Sequence, residues 1–174
     1  MTFYCNKQAF DTLSKDYLVV DVPGYHIYSW QVLEVIKEKE IYLFFMNDAG
    51  GIFIVLRFND EAEIKNLPSI FEDALNQIMK DMEYPEEIIR LYVDILWRIN
   101  ISKIINYDHM GIMVETLLKY EKEFLTNIEF NTIVQRRISK ILNNKFIEYW
   151  DDRFKGKKAS LIMIENIISG VKAL

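Results

Sequence analysis

Across residues 27–58 the chain runs as three apolar blocks, IYSWQVLEVI, IYLFFM and IFIVLRF, divided by KEKE and NDAGG. Blocks rich in Val, Ile, Phe, Tyr and Trp, split by short polar punctuation, predict consecutive antiparallel strands. In the first block, alternation puts Tyr28, Trp30 and Val32 on one face and Ser29, Gln31 and Leu33 on the other. Ile41 to Met46 and Ile52 to Leu56, in the second and third blocks, have no polar alternation, so both sides of those strands need cover. The charged KEKE tip discourages pairing with another molecule. NDAGG supplies residues that tolerate positive φ at the second turn.

Helical periodicity follows. Leu67, Ile70, Phe71, Ala74, Leu75, Ile78, Met79 and Met82 form an i, i+3, i+4, i+7 stripe that predicts a helix over 68–82. Ser69 and Glu72 have capping-box spacing, with Asn66 a competing cap. Pro85 suits the first position of a helix over 85–99. Outside the ladder Glu86, Arg90, Asp94 and Arg98 almost all of that helix is apolar, which suggests a central, mostly buried element. Residues 101–107 fit a short strand or a loop. Another helix is expected from Asp108 to about Phe124. Thr126 and Glu129 suggest a capping box for a helix running to about Asn143, with Arg137 inside the apolar sector of Phe130, Ile133, Val134, Ile138 and Ile141. The closing stretch, 159–174, carries a stripe at Leu161, Ile164, Ile168 and Val171. Before the hairpin, residues 2–5 fit an edge strand, and Asn6 fits the cap of a short helix over 7–13. The expected class is α+β: an antiparallel sheet of three or more strands in the N-terminal third, covered by about five helices.

Charge divides the chain. Residues 1–124 carry a net −9 and residues 125–174 a net +4. This suggests an acidic core domain over 1–124 and a basic helical segment over 125–174 packed on it. Cys5 is the lone cysteine, which precludes an intrachain disulfide and fits a reducing compartment. The opening residues show no leader pattern, and no apolar run approaches the roughly 18 residues of a membrane span. A cytoplasmic, non-membrane protein is expected.

Catalytic chemistry is sparse. The chain has two histidines, His26 and His109, and no HExxH, CxxC, GxSxG, Walker A or GxGxxG pattern. Asp108 beside His109 suits helix-cap chemistry better than an acid–base pair. Cys5, in a strand-like context, reads as a buried inert thiol. No catalytic residue, metal site or cofactor is therefore assigned. Arg136, Lys140, Arg153, Lys155, Lys157 and Lys158 interleave with Tyr149 and Trp150, the pattern of a partner-binding surface. The same pattern can serve single-stranded nucleic acid, although Asp151 and Asp152 interrupt it.

Ser29, Trp30, Asn47, Asp48, Val55, Leu56 and Leu67 carry a resemblance over about the first hundred residues. This stretch resembles a family of small prokaryotic proteins of unknown function: a short strand and helix, a Ser-Trp strand, a strand ending in Asn-Asp, an apolar strand, then a helix opening after a Leu. The chain departs from that family in having Gln31-Val32 after the Trp and an apolar Gly111-Ile112-Met113 in the later helix. The resemblance implies a fold rather than an activity. The expected function is a non-enzymatic protein-interaction module. Its forms would be a mobile-element inhibitor of a host defence enzyme, in the manner of an anti-CRISPR, or an antitoxin-like partner; homo-oligomerisation is an open option. The alternatives are an enzyme with a site near Asn47-Asp48, or nucleic-acid binding through the basic segment.

Overall fold

The structure is a computed structural model. It describes residues 1–21, 26–49, 52–94, 98–103 and 107–153, with residue 26 and residues 146–153 described by backbone alone. The expected helix over 159–174 lies outside these residues.

The three apolar blocks form β3 (Ser29–Lys37), β4 (Glu40–Asn47) and β5 (Phe53–Phe58), paired antiparallel in sequence. The KEKE tip closes as a two-residue turn, with Glu38 and Lys39 both at positive φ. Every residue from Ile41 to Asn47 and from Phe53 to Phe58 is buried, because both faces of the sheet are covered.

The sheet is mixed rather than purely antiparallel. Among the described residues it has six strands, in the order β2-β6-β1-β3-β4-β5. β1 (Thr2–Cys5) runs parallel between β3 and β6 (Asn100–Lys103), so it is an interior strand rather than an edge. β2 (Leu18–Val19) pairs parallel with β6 at one edge. The physical reason is the connections: helices separate β1 from β2 and β5 from β6, and such crossovers return the chain parallel.

Six helices, rather than about five, are present among the described residues. α1 (Lys7–Leu13), α2 (Leu67–Asp81) and α3 (Glu86–Val93) cover the Trp30 face. α4 (Tyr107–Lys119), α5 (Glu121–Thr126) and α6 (Arg136–Arg153) cover the face of Tyr42, Phe44 and Val55. Asn6 caps α1 as expected, its Oδ1 accepting from the Ala9 N–H at 2.9 Å. Phe71 of α2 is the hub of the first core. Its ring meets those of Phe3, Trp30 and Phe45 at 5.1, 5.0 and 4.9 Å.

Other boundaries differ. α2 begins at Leu67 with Asn66 at its N-cap position, so the Ser69–Glu72 spacing falls inside the helix. α3 is an outer helix, not a surrounded one: it buries Ile88, Ile89 and Tyr92 and exposes Leu91. The helix expected to run on to Phe124 breaks at Tyr120. Thr126 ends α5 instead of capping a new helix, and residues 128–135 are not helical. Within that segment, Val134 bridges Leu56 of β5. Arg137 then projects outward beside Glu129, with its backbone N–H bonded to Glu129 Oε2 at 2.9 Å.

The inward face of α6 is polar for a reason. β5 is an edge strand, and its outer backbone groups are buried. Asn143 acts as a substitute peptide: its Oδ1 accepts from the Phe53 N–H at 2.8 Å and its Nδ2 donates to the Phe53 carbonyl at 2.9 Å. Ser139 Oγ accepts from the Val55 N–H at 3.0 Å. The Gln135 N–H donates to Val55 O, and the Arg57 N–H to Ile133 O. The edge is closed by a helix and a short extended segment, which protects it from pairing with another chain.

Arg57 ties this closure to the hairpin. It forms two bonds to the Glu40 carboxylate and donates to Phe130 O at 2.7 Å. The Arg57 guanidinium holds the Glu40 pKa down at about 2.

Glu34 is the opposite case. It is 3% exposed, on the Trp30 side of β3, and its Oε2 has no partner among the described residues. Burial raises its pKa above the ordinary carboxylate value, against the Thr12 hydroxyl bond and Lys15; Glu61 and Asp11 add to the rise. A raised folded-state pKa stabilises below the unfolded carboxylate value, and that contribution fades as pH climbs through the folded value. Glu34→Gln is therefore expected to be more stable than the parent at pH 7, with the advantage shrinking towards pH 4. Urea unfolding at the two pH values reads this directly.

Candidate functional site

β3 and α4 enclose two different environments on one face of the sheet. Gln31, Leu33 and Val35 lie on that face in turn. His109 sits near the start of α4, and Leu117 and Leu118 near its end. From Gln31 to Val35 is about 13 Å of strand, and from His109 to Leu117 about 12 Å of helix. α4 thus lies along β3 with a polar cluster at one end and an apolar groove at the other.

The polar end includes the Asn-Asp pair singled out in the sequence, and the structure divides it. Asn47 belongs to the Trp30 side. Its Nδ2 donates to Ile27 O at 3.0 Å, to Ser29 O at 3.3 Å and to the Tyr92 hydroxyl at 3.1 Å. Tyr92 in turn donates to Ile27 O, and its ring stacks on Tyr28 at 5.4 Å. Burial drives the Tyr92 pKa well above its usual value. Asn47 is therefore a structural residue that fastens the His26–Tyr28 turn. Ser29 and Trp30 are buried beside it.

Asp48 points to the α4 side and is also buried. Its carboxylate accepts from Gln31 Nε2 at 3.0 and 3.1 Å and lies 2.8 Å from His109 Nδ1. His109 thus pairs with Asp48, 61 residues away, and not with the adjacent Asp108. Gln31 and His109 were missed as site residues. The available signal is a Gln on the face of the first strand opposite Trp30.

The apolar end is a cavity of about 180 Å³ lined by Val35, Phe44, Leu117, Leu118, Leu125 and Ile128, among others. Phe124 and Ile138 floor it. Leu118 is 70% exposed, and Val35 and Leu125 are each 39% exposed.

Of the residues expected to bind a partner, Arg136 and Lys140 are described with their side chains, and neither lines this groove. Arg136 is exposed and pairs with Asp81 through two bonds, and Lys140 is exposed on α6. Tyr149, Trp150 and Arg153 belong to the part of α6 described by backbone alone. Lys155, Lys157 and Lys158 lie outside the described residues. Cys5 is buried, and burial together with Glu34 pushes its thiol pKa up. Among the described residues no cluster of three or more His, Cys, Asp or Glu could hold a metal. No helix among them is long and apolar enough to cross a membrane.

A six-stranded mixed sheet with helices on both faces defines a small α+β protein. The chain belongs to the family described as Domain of unknown function (DUF6933), whose model matches residues 2–158. No curated protein and no solved structure matches it.

Proposed function

We propose that the chain acts by binding another protein, with the groove between α4, α5 and the β3–β4 hairpin as the docking surface. The observation that carries this reading is an open apolar cavity flanked by the exposed side chains of Val35, Leu118 and Leu125. Exposed apolar patches of this kind mark interaction sites. The cavity, at about 180 Å³, is smaller than the roughly 300–1,000 Å³ of small-molecule pockets. It suits one apolar anchor side chain from a partner, the usual form of an interface hot spot. The occupant is an apolar ridge or amphipathic helix of a different protein in the cytoplasm, where the single buried thiol of Cys5 stays reduced. An inhibitor of a host defence enzyme, or an antitoxin-like partner, is the form this reading takes. Tyr149, Trp150, Arg153 and the neighbouring lysines would add contacts to an acidic partner.

The test is a photo-crosslinking residue placed at Leu118 in the source cell. It is expected to capture one protein, and Leu125→Asp is expected to abolish the adduct while the fold is retained. No adduct, or adducts only with further copies of this chain, would contradict the reading.

A further inference from the structure

The walls of the groove limit what can seat in it. Taking the groove as the docking surface proposed above, we infer that its occupant is an amphipathic helix with three features. A purely apolar anchor enters the cavity, an acidic residue on one flank meets Lys37, and a basic residue on the other flank meets Glu121.

The anchor follows from the lining. Only Lys37, Tyr42 and Glu121 bring polar side chains to the cavity. The Tyr42 hydroxyl donates to Glu40 Oε2 at 2.7 Å, and that carboxylate is held in turn by Arg57. The floor is Phe124 and Ile138, with Phe44 and Leu117 beside them. A hydroxyl, amide or indole N–H carried down to this floor would leave water and find no side-chain partner there, which disfavours it. Leu, Ile, Met or Phe fits the cavity on these grounds, and Tyr, Trp or Ser does not.

The sheet decides between a helix and an extended peptide. An added strand needs an open edge for its backbone. The strands under the groove have none: β3 pairs with β1 and β4, and β4 pairs with β3 and β5. A helix satisfies its own backbone and needs only an apolar track. Val114 supplies the next step of that track, exposed one turn before Leu118 on α4, and Leu125 is exposed on α5. From Val114 to Leu125 is at most about 16 Å at the helical rise, or three turns of a facing helix.

The flanks follow from charge. Lys37 ends β3 and Glu121 opens α5, so the two charges that line the cavity stand on different walls. Neither is in an ion pair among the described residues. Complementary charges at an interface rim set orientation and register more than affinity. A helix with an acid on one side of its apolar stripe and a base on the other is thereby held in one direction.

The test is a displayed library of helical peptides, randomised at one central position and at the positions on either side of the apolar stripe, selected on the full chain. Peptides whose binding is abolished by Leu125→Asp are expected, with Leu, Ile, Met or Phe at the centre, Asp or Glu on one flank and Lys or Arg on the other. Lys37→Glu is expected to turn the acidic preference basic and leave the other flank unchanged, and Glu121→Lys to do the converse. Each peptide selected on the parent should bind the mismatched variant several-fold more weakly, with a smaller difference at high salt. Tyr, Trp or polar residues at the centre, or flank preferences unmoved by either reversal, in peptides that still depend on Leu125, would overturn this inference and leave the docking surface standing. The absence of any peptide that depends on Leu125 would overturn the docking surface and this inference with it.

Discussion

Phe71→Ala is expected to cost about 3–5 kcal/mol, the usual range for removing a fully buried phenylalanine. Phe71 is the one side chain of α2 whose ring meets Phe3 of β1, Trp30 of β3 and Phe45 of β4. The cavity left behind would be walled by three aromatic rings on three strands, which cannot all move in to fill it. A domain is commonly stable by about 5–15 kcal/mol in total, so the variant should be close to unfolding at 37 °C. Urea unfolding followed by tryptophan fluorescence checks this, with Trp30 as a reporter beside the lesion. A loss below about 1 kcal/mol, the level of an ordinary surface change, would mean that α2 does not pack on the sheet as described.

Asn143→Leu is expected to lose about 2–6 kcal/mol, because two buried backbone groups of Phe53 lose their partners at about 1–3 kcal/mol each. Leucine keeps the number of side-chain heavy atoms but is bulkier, so any overpacking adds to this loss. A second consequence follows from the position. With Asn143 gone, β5 presents an N–H and a C=O at the sheet edge, and the edge becomes open to another strand. The variant is expected to self-associate when partly unfolded, seen as concentration-dependent light scattering in moderate urea. Ser139→Val, which leaves the Val55 N–H without the Ser139 hydroxyl, should show a smaller loss in the same direction. Stability unchanged in both variants would mean that water satisfies the edge and that α6 is not its cover.

The antiparallel core of the sheet was legible because its signals are local. Polarity-free blocks and intervening turn residues set the bounds of β3, β4 and β5, and Leu43, Phe45 and Ile54 are fully buried as that pattern requires. The parallel half was not legible. β1 and β6 have four residues each and β2 has two, too few for periodicity, and their pairing depends on crossovers that no local signal records. α6 shows a different limit. Gln135, Ser139 and Asn143 recur every four residues, which reads as a solvent-facing stripe. In fact this stripe is buried, and from Asn143 it answers Phe53, 90 residues earlier. The Asn47-Asp48 pair was visible as a motif, but its division between two faces follows from strand alternation combined with helices placed later in the chain. His109 was visible as a residue and not as a partner of Asp48. Family membership adds no chemistry, so the functional reading rests on the groove.

Amide hydrogen exchange, measured with and without the protein captured at Leu118, tests the docking surface most directly. Slowed exchange in 35–44 and 114–128, with the other elements unchanged, is the result expected if the partner seats between the hairpin, α4 and α5. Slowing confined to 146–158, with the groove unaffected, would contradict it and move the interface to the basic aromatic segment.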